Sequence, residues 1–332
     1  MSTSSLSRAL GAFACVLSLA VPTVARADVV ADLRVLTPGA ALEPGANYVT
    51  GTESIKTDPH ARCFLGGAGG SGQRVRIQGP TALGVAKSAL RWNQALAPIS
   101  VTDEFGFGLG VCGFGGKRGN QNRYWSLSVN YADPGAGGDQ VRLHSGDSVL
   151  WYLTSYPPPP LLELTAPAAA TPGLVQVHVD QHECTTGPAP DYEVTCGASP
   201  AQGATVTGGD APALTDSEGN AAVPIASQGH FALQAGLDAD VPSESVDVCV
   251  NDDVSKCPDS HGKVIYGRPR ADRFGGTPGW DVIRSGGGDD VISIRSGGRD
   301  RVDCGAGSDR VIVGSGDGDD RIGSSCERVV KR

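Results

Sequence analysis

Apolar residues along this chain alternate with polar ones, or form short runs between turns, far more often than they recur at helical spacing, so short strands are the expected building block. Residues 124–129 alternate and 148–153 are nearly continuously apolar, with Gly-Gly-Asp at 137–139 and Ser-Gly-Asp at 145–147 as turns between them. Further apolar runs bounded by turn residues lie at 174–179, 204–207, 221–225, 231–233 and 245–250. One stretch, 81–90, reads as a helix: it is short and starts directly after Pro80. Near the C-terminus the pattern becomes a phrase, an aspartate, any residue, then a bulky apolar one: Asp272/Phe274, Asp281/Ile283, Asp290/Ile292, Asp300/Val302, Asp309/Val311 and Asp320/Ile322. The intervals are nine, nine, ten, nine and eleven residues, and a glycine stands two positions before five of the six aspartates. Each unit therefore reads as a Gly-rich turn followed by a very short strand.

If two units make one coil, turns on the same edge are two repeats apart. Asp272, Asp290 and Asp309 then share one edge, and Asp281, Asp300 and Asp320 the other, with successive carboxylates about 4.8 Å apart. Stacked carboxylates need a counter-charge, and a hard divalent cation supplies one while accepting carboxylate and carbonyl oxygens. The unit resembles the RTX nonapeptide G-G-x-G-x-D-x-U-x, with Ser-Gly-Gly-Gly-Asp-Asp at 285–290 as its nearest copy. That resemblance spans about sixty residues and implies a parallel β-roll with Ca²⁺ between stacked turns. Asp281, Asp290, Asp300 and Asp309 are the leading ligands, with Asp272 and Asp320 completing the set, and each edge has room for at most two ions. A second neutraliser stays open: residues 260–332 carry 13 Lys/Arg against 11 Asp/Glu, and Arg299, Arg301, Arg310 and Arg321 stand beside the aspartates.

Composition narrows the class. Arg8, the apolar run 9–21 and Ala-Arg-Ala at 25–27 read as a cleaved secretory leader over 1–27, and no later segment is apolar enough to span a bilayer. Beyond the leader eight cysteines remain in four neighbourhoods, so local pairing gives Cys63–Cys112, Cys184–Cys196, Cys249–Cys257 and Cys304–Cys326. The last pair is 22 residues apart, close to one coil, which would stack its two members. Between Arg142 and Lys256 there is no lysine or arginine and there are 15 Asp/Glu, a formal charge of −15 with histidines neutral that argues against nucleic acid or anionic membrane as a partner. Arginine outnumbers lysine 21 to 6 in a chain with 47 glycines, a bias that suits a GC-rich bacterial genome. A secreted or extracellular location, at the cell surface or free, is expected.

The expected fold class is mainly β and multidomain: an α+β, β-grasp-like domain, an Ig-like β-sandwich and a C-terminal parallel β-roll. The first segment, 28–156, has an early cysteine, a Thr-Ala-Leu-Gly helix, a Gly-Val-Cys hairpin at 110–112, Tyr-Trp-x-x-x-Val-Asn at 124–130 and Gly-Asp-x-Val-x-Trp at 146–151. These five ordered features resemble the domain-of-unknown-function family that includes the transcobalamin C-terminal domain, which implies a small disulfide-bonded domain of secreted proteins. Four prolines at 157–160 mark a stiff linker. Residues 161–250 resemble bacterial immunoglobulin-like and carboxypeptidase-regulatory-like spacers, on Gly-Ala-Thr-Val-Thr-Gly at 203–208 and Thr-Asp-Ser-Glu-Gly-Asn-Ala at 215–221. A linker at 251–264 leads to the roll at 265–332.

No catalytic motif stands in the chain. G-x-G-x-x-G occurs at 67–72 and 108–113, but neither copy opens a helix. His178, Asp180, His182 and Cys184 share one strand face and are a zinc-type set only if Cys184 is not in a disulfide; otherwise they are a solvated sheet face. The rings of Trp92, Tyr124, Trp125, Trp151 and Tyr152 are either a ligand platform or core. The expected function is a secreted, non-enzymatic binding or adhesion protein with Ca²⁺ as its ion and an extracellular ligand or surface polymer as its partner. The alternatives are a carrier of a cobalamin-like small molecule, and a hydrolase drawing on Asp103, Glu104, His60 or His144.

Overall fold

A computed structural model describes residues 28–63, 69–187, 193–238, 240–257, 262–314 and 319–332; the expected leader at 1–27 and part of the first G-x-G-x-x-G stretch lie outside the described residues. The chain is mainly β, with several sheets and a C-terminal pair of parallel sheets. Among the described residues no helix is long and apolar enough to cross a membrane.

In the first segment, strands Val29–Thr37 and Ala40–Thr50 form an antiparallel hairpin, and Val29–Thr37 also runs parallel to Ser148–Thr154, which pairs with Tyr124–Val129. The helix Ala82–Ala89 lies against this sheet. Its start is set by Thr81, whose Oγ1 accepts the Gly84 N–H at 3.0 Å, satisfying a donor that the first turn leaves open. Leu83, Val85 and Ala86 of the helix are buried with Leu33, Val35, Leu127 and Val149. Phe114 fills the centre, with Trp125 edge-on at 4.9 Å and Trp151 at 5.7 Å.

The second segment is a two-sheet sandwich. One sheet holds Leu161–Thr165, Gly173–Thr186, Val194–Pro200 and Asn220–Ile225; the other holds Ala169–Ala170, Val246–Val250, Gly229–Gly236, Thr205–Thr207 and Ala213–Leu214. The period-two pattern decides which residues face inward: Val175, Val177 and Val179 are buried with Val223, Leu233 and Val248, while His178 and Asp180 face out. The proline linker does not hold the two segments apart. Leu150 and Tyr152 pack with Leu161 and Val241, Arg34 Nη2 donates to the Pro242 carbonyl at 2.9 Å, and Tyr131 stacks on His182 at 4.5 Å.

The C-terminal strands coil in parallel. Val264–Tyr266, Val282–Arg284, Arg301–Asp303 and Arg321–Ile322 form one face; Arg273–Gly275, Val291–Ile294, Arg310–Val313 and Arg328–Lys331 form the other. The apolar residue of each phrase stacks on its counterpart one coil away: Ile265, Ile283, Val302 and Ile322 on one side, Phe274, Ile292 and Val311 on the other. Gly288 and Gly307 permit this approach: both have positive φ (99° and 153°), and a Cβ would fall 2.2 Å from Ala271 N and 2.1 Å from the Gly288 oxygen.

The first sheet runs on into the roll. Ile265 and Tyr266 pair with Asn47 and Tyr48, making one eight-stranded sheet, and Val30 and Val49 belong to the same buried cluster as Ile265, Phe274 and Ile283. Four disulfides close the expected pairs, Cys63–Cys112, Cys184–Cys196, Cys249–Cys257 and Cys304–Cys326, with Cα separations of 4.4, 4.0, 5.8 and 5.2 Å.

Candidate functional site: a ladder of buried aspartates

Each repeat aspartate sits where a turn enters its strand, and coiling stacks these positions as the spacing requires. On one edge the Asp272 N–H donates to Asp290 Oδ1 (2.8 Å), the Asp290 N–H to Asp309 Oδ1 (2.8 Å) and the Asp309 N–H to Glu327 Oε2 (2.7 Å). On the other edge the N–H groups of Lys263, Asp281 and Asp300 donate to the Oδ1 atoms of Asp281, Asp300 and Asp320 at 2.7, 2.7 and 3.0 Å. One carboxylate oxygen of each of Asp281, Asp290, Asp300, Asp309, Asp320 and Glu327 thus reaches back a coil and satisfies a backbone donor that the very short strand leaves unmatched. Asp272, Asp281, Asp290, Asp300 and Asp309 are all buried, none more than 2% exposed.

The second oxygen separates the rungs. Asp281 is saturated, because Thr277 adds its N–H and its Oγ1 (2.7 Å) to the Lys263 bond. Asp272 is saturated by Arg268, through the backbone N–H at 2.6 Å, Nε at 2.7 Å and Nη2 at 2.7 Å. The same buried guanidinium holds Asp28 at 2.5 Å. Asp290 Oδ2 and Asp309 Oδ2, one coil apart, are buried with no hydrogen bond. Ser285 stands beside Asp290, but its hydroxyl donates to the Cys304 carbonyl at 2.7 Å. Burial pushes Asp290 up to about 7, against the pull of the neighbouring Ser285 hydroxyl and the Asp272 N–H, with the charges of Asp272 and Asp309 adding to the rise. Burial also raises Asp309, and it raises Asp272 against the opposing pull of Arg268.

The structure thus separates Asp272 and Asp281, both saturated, from Asp290 and Asp309, residues that the repeat treats alike. The arginines beside the repeats play a smaller part: Arg299 pairs with exposed Asp319 at 3.3 Å, and Arg310 Nε is buried without a hydrogen bond. Asp272 takes its guanidinium from Arg268, which lies outside the repeat phrase. Glu327 was legible, since Glu327-Arg328-Val329 repeats the phrase with glutamate 18 residues after Asp309. Thr277 and Arg268 carried no local signal. Among the described residues no three His, Cys, Asp or Glu side chains converge as a metal group.

The remaining candidates are held apart. His178 contacts Asn220 and Asp180 at 3.0 and 3.2 Å, His182 turns to Glu163 at 2.7 Å, and Cys184 is in its disulfide, so this strand face is the solvated one. Asp103 accepts the Ser71 N–H and hydroxyl at 2.7 and 2.5 Å, His60 donates its N–H to Asp58 at 2.8 Å, and exposed His144 lies 3.8 Å from Asp147. The N–H of Glu104 donates to Thr102 at 3.3 Å. Each is tied to its own neighbours. Trp125 and Trp151 are core, with indole N–H groups donating to the Lys117 and Ala82 carbonyls, and Trp92 donates to the Gly267 carbonyl at 2.7 Å while its ring leans on Tyr266 at 4.9 Å. The second G-x-G-x-x-G stretch enters strand Gly110–Phe114, so no helix N-terminus faces it. Comparison with family models, curated proteins and solved structures finds no match to this chain.

Proposed function

We propose that this chain is a secreted, non-catalytic binding protein whose C-terminal roll, of the RTX type, takes up Ca²⁺ at the Asp290–Asp309 edge. The observation that carries the reading is the pair of consecutive buried rungs whose second carboxylate oxygens have no hydrogen-bond partner. A buried carboxylate without a partner is costly, and it is relieved by a proton or by a cation. The raised Asp290 value is the proton alternative; a divalent ion accepting both oxygens relieves both rungs at once. Turn carbonyls and water supply the remaining oxygens that such an ion requires. The leader at 1–27 and the four disulfides support an oxidising, exported setting, where calcium is abundant. In this reading the sandwich is an Ig-like spacer and the first segment a transcobalamin-C-terminal-like domain that meets an extracellular ligand or surface polymer.

Calorimetric titration of the intact chain with CaCl₂ at pH 8 tests it. The expected result is saturable binding, abolished in Asp290→Asn and weakened in Asp309→Asn, both of which keep the Oδ1 acceptor. Absence of heat and of any thermal shift up to about 10 mM, above the range of extracellular calcium modules, would leave the ladder as a purely structural device.

A further inference from the structure

The proline linker, the edge of the first sheet and the long hairpin of the sandwich enclose a cleft of about 630 Å³. Four tyrosines line it, Tyr124, Tyr131, Tyr152 and Tyr156, out of seven in the whole chain. Its acids are Asp133 and Glu183, both exposed, and no lysine or arginine lines it. His182, the basic group present, is engaged by Glu163 at 2.7 Å and covered by the Tyr131 ring.

Three independent features make this a built site. Tyr131 and its neighbour Asn130 both hold positive φ (64° and 51°), a conformation that costs a non-glycine residue energy and that here delivers the Tyr131 ring onto His182. Ser128 lines the cleft, is 3% exposed, and its hydroxyl has no hydrogen-bond partner. Tyr156 projects at the rim, 75% exposed, with its ring open to solvent beside the other three. The phenols feel the carboxylate: burial first, then Tyr152 and Asp133, push Tyr124 up to about 12.

We propose that this cleft binds an organic cation, an ammonium group carried on a hydroxylated or larger molecule. Ring faces attract such a cation through their quadrupoles, Asp133 and Glu183 supply charge, and Ser128 offers a hydrogen bond deeper in. The surrounding residues 143–255 carry 15 acids and no Lys/Arg, so the long-range field also favours a cation and disfavours an anionic ligand. The site lies away from the roll and does not depend on calcium there, so it goes beyond the function proposed above.

Choline and its uncharged isostere 3,3-dimethylbutan-1-ol distinguish charge from shape. Titrating the intact protein is expected to give saturable choline binding, at least roughly tenfold weaker for the isostere. Tyr156→Ala and Asp133→Asn, exposed positions whose variants are checked for native circular dichroism, are each expected to weaken choline binding about fivefold or more. Equal binding of the two compounds, unchanged affinity in both variants, or no saturable choline binding would overturn the proposal. Binding that survives chelation of calcium keeps this result separate from the state of the roll.

Discussion

The sandwich and the roll use the same acidic residue in opposite ways. In the sandwich acids such as Asp210, Asp216 and Glu218 stay on the surface, where water and salt screen them, and the buried polar side chains among the described residues, Thr215 and Ser243, are uncharged. In the roll Asp272, Asp281, Asp290, Asp300 and Asp309 are inside, stacked one coil apart and held by backbone N–H groups. The antiparallel sandwich satisfies its backbone mainly through longer ladders, and inside it the side chains that help are neutral hydroxyls, Thr215 and Ser243. Strands of two to four residues cannot, so the carboxylates take over part of that task. The cost is a fold that carries carboxyl groups in its interior and whose stability is therefore expected to depend on pH, whereas the buried polar groups of the sandwich, Thr215 and Ser243, do not titrate.

The contrast breaks most sharply at Arg268. Arg268→Ala leaves Asp28 and the buried Asp272 without their shared cation, and the expected loss is about 3–5 kcal/mol, read by thermal unfolding. Glu53, which meets Arg268 at 3.9 Å, leaves Arg270 as its remaining partner. Next, replacing Cys304 and Cys326 together by serine is expected to cost roughly 3 kcal/mol, since this bridge ties the last coil to the one before it across 22 residues.

A smaller effect sharpens the role of Asp290. Its folded value is raised, so the folded roll holds this proton after the unfolded carboxyl has released its own. Stability from this residue is complete at low pH and is lost as pH rises from the ordinary carboxylate range through about 7. Calcium-free protein is therefore expected to melt a few degrees lower at pH 8 than at pH 5. Asp290→Asn flattens that dependence, and added Ca²⁺ restores the wild-type value at pH 8 while leaving the variant unmoved. A calcium-free melting temperature that rises from pH 5 to pH 8 would contradict the sign. Smallest of all, Glu218→Gln on the sandwich surface is expected to change stability by less than about 0.5 kcal/mol at either pH.

Much of this was legible. The helix at 81–90 appears as Ala82–Ala89 with Thr81 as its cap, and the strand at 124–129 has the bounds the alternation indicated. The roll's two edges carry the aspartates that the repeat count assigned them. The aromatic residues were harder to place: periodicity puts Trp125 and Tyr124 on opposite faces but does not say which face another segment covers. Tyr131 and Tyr156 carry no periodic signal, and they line a cleft only because the sandwich docks beside them.

What the amino-acid order determined alone is whatever depends on local spacing: period-two strands, a capped helix, a repeat length that forces coils into register, and cysteines near enough to pair. What tertiary structure decided is which of the equivalent aspartates are satisfied, and that the roll grows from the edge of the first sheet. Asp28 and Arg268 are 240 residues apart, and Ile265 pairs with Asn47 across a similar distance. A repeat fixes relations between neighbours along one coil axis. The partner that neutralises a buried charge is set by which distant chain segment packs against it, and no local pattern encodes that choice.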